Sequence, residues 1–69
     1  MDYSKIDQDK ILSYLESNGG SASVDKIIME SGAESLRVYP LIYRLKAANI
    51  LRITEYNTMG APITVNLIS

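Results

Sequence analysis

The stretch "LRVYPLIYRLKAANIL", residues 36–51, combines a helical apolar period with a proline. Four apolar residues recur at the spacing expected for one face of a helix: Val38, Leu41, Ile42 and Leu45. Pro40 lies between the first two of these, although proline lacks a backbone donor and clashes with the preceding helical turn. At 100° per residue Pro40 falls on the opposite side. The stretch therefore predicts an amphipathic helix with an outward-facing proline.

Composition predicts one small globular domain. The chain has 69 residues, of which 46% are hydrophobic and 22% are charged. A core of this size supplies a net stability of only roughly 3–5 kcal/mol. The chain has no Cys and no His, which excludes disulfides, thiolate zinc sites and cysteine nucleophiles and removes the commonest general base. We therefore expect no enzymatic activity, no cofactor and no metal.

The net charge of the chain does not favour a nucleic-acid partner. It is −1 at neutral pH, with a sequence pI near 5.1, whereas nucleic-acid binders usually carry a basic excess on at least one face. The distribution of charge along the chain therefore has to be considered.

The sequence has no sign of a membrane span or a signal peptide. No window approaches the ~18 consecutive apolar residues of a membrane span. The segment "MDYSKIDQDK" is polar and mixed in charge, unlike a signal peptide. The sequence therefore predicts a cytoplasmic protein that does not associate with membranes.

Turn-forming residues divide the first two thirds of the chain into three helices. Gly19 and Gly20 supply the backbone freedom that ends the first helix. Ser23 is a favourable N-cap for the second, and Gly32 interrupts the apolar period after it. Helices are predicted over residues 3–18, 24–31 and 35–48.

The last third changes from a helical to an alternating period. Strands are predicted over residues 50–56 and 62–68, joined by a loop of about four residues. Pro62 falls at the start of the second strand, where its missing donor does least harm. A further short strand is predicted between the first two helices. With no linker visible, the chain is predicted to be a single domain over 1–69.

This order of elements resembles the bacterial winged helix-turn-helix family. "ILSYLESNGGSASVDKI" is similar to the family's first helix, short strand and start of helix two. "SGAESLRVYPLIYRLKAANIL" is similar to its turn and third helix, and "GAPITVNLI" to its returning wing strand. The resemblance extends from about Ile11 to Ile68 and depends on the linear order of the segments. It implies an α+β winged-helix fold whose third helix, 34–48, docks in the major groove of double-stranded DNA.

On this resemblance, the protein is a small DNA-binding transcriptional regulator. The candidate DNA contacts are Lys26, Ser35, Arg37, Tyr39, Tyr43, Arg44, Lys46 and Arg52. Three basic residues oppose one acidic residue between Glu34 and Ala48, a local excess of positive charge. Each cation has the alternative of solvating an exposed face, and Tyr39 has the alternative of covering the core edge against helix one. The wing loop "YNTMGAP" contains no Lys or Arg, whereas wings that bind the minor groove or the DNA backbone often carry one.

An interaction with protein is the alternative function. The outward face of the third helix carries an apolar stripe, which consists of Leu36, Pro40, Tyr43 and Ala47. Together with Met59 at the wing tip, this stripe is typical of a protein interface or a homodimer contact. Two questions remain open at the N-terminal end of the stripe. The first is whether Leu36 projects or packs under the turn at Gly32. The second is where the helix begins, since a start near Tyr39 would place Pro40 at the favoured first position.

Overall fold

The computed structural model describes residues 3–68 and shows an α+β fold with three helices and a three-stranded antiparallel sheet. The helices are α1 (Tyr3–Ser17), α2 (Val24–Glu30) and α3 (Ser35–Ala47); the strands are β1 (Ser21–Ser23), β2 (Leu51–Tyr56) and β3 (Pro62–Leu67). This order confirms the predicted fold class, including the short strand between the first two helices. Within the described residues, no helix has the length and apolar character needed to cross a lipid bilayer.

The predicted element ranges are slightly longer than the observed ones. Each helix was predicted to end one residue later than it does. The first wing strand was predicted to begin at residue 50 and begins at residue 51, and the second was predicted to end at residue 68 and ends at residue 67. The predicted domain, 1–69, also includes residues 1, 2 and 69, which lie outside the described part of the chain.

The ends of α1 and α3 share one hydrogen-bond pattern. After α1, Gly19 has a φ of 76°, and the Gly20 amide donates to the Leu15 carbonyl oxygen at 2.7 Å. After α3, Asn49 has a φ of 60°, and the Ile50 amide donates to the Leu45 carbonyl oxygen at 2.9 Å. This is the Schellman arrangement, in which a left-handed residue closes the helix. Asn49 thus ends α3 without a glycine, which the sequence interpretation did not single out.

The core lies between the helices and one face of the sheet. Strand β3 is central, and β1 and β2 pair with it on either side. Every element contributes to the buried apolar residues, which are Ile11, Leu15, Ala22, Val24, Ile27, Ala33, Val38, Leu41, Ile42, Leu45, Leu51 and Val65. The four residues predicted to form the inner face of α3 are all among them, which leaves the opposite face of α3 exposed.

Pro40 lies inside α3. The helix begins at Ser35 with Glu34 as its N-cap, so the interpretation that it begins near Tyr39 is wrong. Its first turn is tight, since the Arg37 amide donates to the Glu34 carbonyl oxygen at 2.9 Å, three residues back. Pro40 has no N–H for the Leu36 carbonyl oxygen, the acceptor that a regular α-helix assigns to that position. Because Leu36 and Pro40 are both exposed, the Leu36 carbonyl oxygen lies on the solvent-facing side of the helix.

We expect Pro40→Ala to raise the free energy of unfolding by ~1–2 kcal/mol. Alanine restores a helical donor and removes the ring clash, and this gain exceeds the entropy that proline removes from the unfolded chain. Urea unfolding followed by circular dichroism measures the change. Pro62→Ala is the matched control: Pro62 is buried at the first position of β3, so that variant should not gain stability. A loss of stability in Pro40→Ala would show that the α3 backbone is adapted to the proline.

Candidate nucleic-acid interface

Helix α3 presents two different flanks on either side of the apolar stripe. With about 100° per residue, Arg37 and Arg44 share one flank, and Tyr39 and Lys46 share the other. Contacts with neighbouring elements give each flank its direction. Arg37 binds Asp7 of α1, whereas Lys46 binds Tyr56 at the end of β2. The apolar stripe therefore lies between a flank that faces α1 and a flank that faces the wing.

Arg37 is held by α1, although its side chain remains 43% exposed. Its Nη1 donates to Oδ2 of Asp7 at 2.9 Å, and its guanidinium carbon lies 5.5 Å from the centre of the Tyr3 ring. Asp7 is 5% exposed, the one charged residue buried among residues 3–68. Arg37 was predicted as a DNA contact; the structure places its guanidinium in the contact between α1 and α3.

The surroundings of Asp7 keep it ionised. The hydrogen bond from Arg37 has the largest effect and lowers the pKa of the Asp7 carboxyl below its ordinary value of 3.8. Burial opposes this by penalising the charged form, and a backbone hydrogen bond from Glu34 lowers the pKa further. Asp7 therefore connects α1 both to the N-cap of α3 and to its first turn. No local pattern predicts this pair, since its members are 30 residues apart.

The wing-facing flank of α3 carries one cation, Lys46, and one tyrosine, Tyr39. Lys46 Nζ donates to the Tyr56 hydroxyl oxygen at 3.3 Å. Tyr39 lines a cleft of about 260 Å³ together with Asp25, Pro62 and Ile63. Tyr39 thus lies beside α2 and the wing, so the interpretation that it covers the core edge against helix one is wrong.

Tyr56 joins this surface although it was not predicted as a site residue. It ends β2, is 46% exposed and pairs with Pro62 in the sheet. The signal in the sequence was its outward position in the alternating pattern of the strand. That pattern does not indicate that β2 returns alongside α3, which is what brings Tyr56 to Lys46.

Two further predicted DNA contacts, Lys26 and Ser35, lie in the first turns of α2 and α3. Lys26 is exposed and forms a 3.7 Å ion pair with Glu30, one turn further along α2. Exposed pairs of this kind contribute little, so Lys26 remains available to a ligand. The predicted N-cap is confirmed, because Ser23 Oγ accepts the Lys26 amide at 3.2 Å. Ser35 is exposed as the first residue of α3.

Glu30 also lines a cleft of about 510 Å³ between α1 and α2. The Tyr14 hydroxyl donates to Glu30 Oε1 at 3.2 Å across this cleft. Burial is the main influence that raises the pKa of Tyr14, and the hydrogen bond to Glu30 raises it further. The Tyr14 hydroxyl therefore stays protonated near neutral pH and links the two helices.

Arg52 lies apart from the α3 surface. It pairs with Asn66 in the sheet, and its neighbours Leu51 and Ile53 are turned toward the core. Because side chains alternate along a strand, Arg52 projects from the outer face of the sheet. The structure does not bring this predicted contact together with Arg44 and Lys46.

The wing tip is uncharged and held in a fixed turn. Asn57 Oδ1 accepts the amides of Met59 at 2.8 Å and Ala61 at 2.9 Å, an arrangement typical of asparagine in turns. Met59 is 91% exposed at the tip. The wing therefore presents an apolar side chain where a basic one would strengthen a contact with phosphate.

The structure thus assembles one continuous candidate surface from α3 and the end of β2. We call it the α3–wing surface, and its polar members are Tyr39, Tyr43, Arg44, Lys46 and Tyr56. They border the apolar stripe, in which Leu36 is 85% exposed and therefore projects. The Arg44 side chain is exposed and forms no hydrogen bond or ion pair with any residue from 3 to 68.

No protein-family model, curated protein or solved structure matches this chain. Its class therefore follows from its architecture. Three helices followed by a C-terminal β-hairpin, with a short strand that completes the sheet, are consistent with a winged helix.

Proposed function

We propose that this chain is a winged-helix DNA-binding protein, a transcriptional regulator that contacts double-stranded DNA through the α3–wing surface. The carrying observation is the charge on the exposed side of α3, where Arg44 and Lys46 are cations and the helix has no acidic residue, in a chain of net charge −1; the third cation, Arg37, is paired with Asp7. Arg44 and Lys46 lie on opposite flanks of the apolar stripe. A helix in the major groove has a phosphate backbone on each side, which suits a cation on each flank.

The residues of the surface have distinct roles in this proposal. Arg44 and Lys46 neutralise phosphates, and the hydroxyls of Tyr39, Tyr43 and Tyr56 donate hydrogen bonds to phosphate oxygens. Arg37 acts on DNA only by fixing the position of α3 against α1. With two phosphates neutralised, the logarithm of the affinity should fall with the logarithm of salt with a slope of about −2. Function in the predicted cytoplasmic location is part of the same proposal.

A salt titration with paired variants tests the proposal. Fluorescence anisotropy would follow binding to a mixed-sequence duplex between low and moderate KCl. Arg44→Gln and Lys46→Gln should each weaken binding and reduce the salt slope by about 1. Arg52→Gln is the matched control, because it removes an exposed cation from the outer face of the sheet and should leave both values unchanged. Absence of binding at low salt, or equal losses in all three variants, would contradict the proposed interface.

Interaction with a protein is a second candidate function, and the exposure of Leu36 and Met59 favours it. Large apolar side chains so exposed on a small domain mark a surface that is covered in a complex. A homodimer or another protein on this stripe would withdraw α3 from DNA. Tyr43→Lys separates the two functions: it should preserve or raise DNA affinity, whereas a buried charge would break an apolar protein contact.

A further inference from the structure

The apolar stripe has little capacity to read bases by hydrogen bonding. Leu36, Pro40 and Ala47 carry no side-chain donor or acceptor, and Tyr43 contributes one hydroxyl. Leu36 is the second residue of α3 and projects from its first turn. In helix-turn-helix proteins, the N-terminal part of the third helix is the part that approaches the base edges. The position expected to determine sequence preference is therefore held by an aliphatic side chain.

The floor of the major groove offers one apolar group to such a side chain. Thymine exposes its C5-methyl group there, whereas the other groove-facing atoms are donors and acceptors that lose hydration when an aliphatic side chain covers them. We propose that the apolar stripe of α3 reads thymine methyl groups, so that this protein prefers duplexes with thymine beneath Leu36 and Tyr43. This inference depends on the proposed function and specifies the DNA that it requires.

Size and charge both favour DNA as the occupant of this stripe. With 13 residues, α3 is about 20 Å long, and a helix about 10–12 Å across fits a groove about 12 Å wide. The stripe is bordered by Arg44 and Lys46, and α3 has no acidic residue that would repel phosphate. A protein partner would need acidic groups on both sides of the apolar stripe. Duplex DNA carries a phosphate backbone on each side of its major groove.

Replacement of thymine by deoxyuridine tests the inference at the level of one methyl group. Two A·T-rich duplexes of identical sequence would be compared by fluorescence anisotropy at one salt concentration, one of them with deoxyuridine at every thymine position. Pairing, groove-edge hydrogen bonding and phosphate charge are the same in both. We expect the thymine duplex to bind more tightly by roughly fourfold for each methyl group that the stripe buries. The two salt slopes should be equal, because the phosphate contacts are unchanged.

Leu36→Ala provides the control for any change in duplex shape. The side chain is exposed, so its truncation leaves the fold intact, and the variant should show a smaller ratio of thymine to deoxyuridine affinity than the unmodified protein. Equal affinity of the unmodified protein for both duplexes would overturn the thymine inference and leave the proposed function standing. Absence of binding to either duplex would overturn both. Self-association without DNA that Leu36→Ala abolishes would assign the stripe to a protein contact and overturn the inference.

Discussion

Leu45→Ala is expected to remove most of the net stability of the domain and to leave a substantial unfolded fraction at 25 °C. Leu45 is 1% exposed and packs in the core between α3 and the sheet. Truncation of a buried leucine removes its transfer free energy and leaves a cavity, a loss of ~2–5 kcal/mol. A core of this size supplies roughly 3–5 kcal/mol of net stability, so the loss consumes most of it. Circular dichroism at 222 nm and urea titration measure the effect directly.

Leu36→Ala is the matched control for that variant. The substitution is the same and lies in the same helix, but Leu36 is exposed, so its truncation should change the free energy of unfolding by no more than ~0.5 kcal/mol. Similar losses in the two variants would contradict the division of α3 into a buried and an exposed face. The comparison therefore tests the face assignment as well as the core.

Arg37→Ala is expected to lower the melting temperature at pH 7 on the order of 10 °C, because it leaves a buried carboxylate without its ion partner. The substitution removes the hydrogen bond to Asp7 that connects α1 with α3. Thermal unfolding followed by circular dichroism gives the melting temperature. DNA affinity measured well below that temperature should change little, because Arg37 does not contact DNA in the proposed interface and four buried side chains still hold α3 on the core.

The pH dependence of this effect follows from the direction of the Asp7 shift. The pKa of Asp7 is lower in the folded than in the unfolded protein, so the pair stabilises the fold fully above the unfolded pKa of about 4. This contribution is lost as the pH falls through the still lower folded pKa. The difference in melting temperature between the unmodified protein and Arg37→Ala should therefore be largest near neutral pH and narrow below about pH 4.

Arg44→Ala is the control for the loss of a positive charge from α3. Arg44 shares a helix flank with Arg37 but has no partner among residues 3–68, so its removal should change the melting temperature by only a few degrees. A pH-independent difference for Arg37→Ala, or an equal loss for Arg44→Ala, would mean that the contact with Asp7 contributes nothing specific.

The elements of the fold were predictable because their signals are local. Periods of 3.6 and 2 residues distinguish helices from strands, and Gly19 and Ser23 act on backbone atoms within a few residues. Pro40 shows the limit of such rules. The helical period predicted a start at residue 35, where α3 begins, whereas the preference of proline for the first helical position left open a start near Tyr39. Burial of Val38 on the same face as Leu41 keeps the first turn in the helix.

The candidate surface was only partly predictable because it is composed of distant segments. The helical period placed Tyr43 and Lys46 correctly outside the core, and the structure confirms their exposure. The alternating period placed Arg52 and Tyr56 on the outward side of the strand, but nothing local indicated that Tyr56 returns to Lys46 or that Arg52 lies apart from α3. These positions depend on the strand order β1-β3-β2 and on how the sheet packs against α3.

The residues buried in α3 could be identified from the chain alone, since burial follows the helical period of apolar side chains. Which of its cations have a partner within the fold depends on how the helices pack. Arg37 and Arg44 are equivalent by period and charge, yet one meets a buried carboxylate from α1 and the other meets solvent. The physical reason is that a side-chain ion pair forms through space, and its partner is specified by helix packing and not by position along the chain.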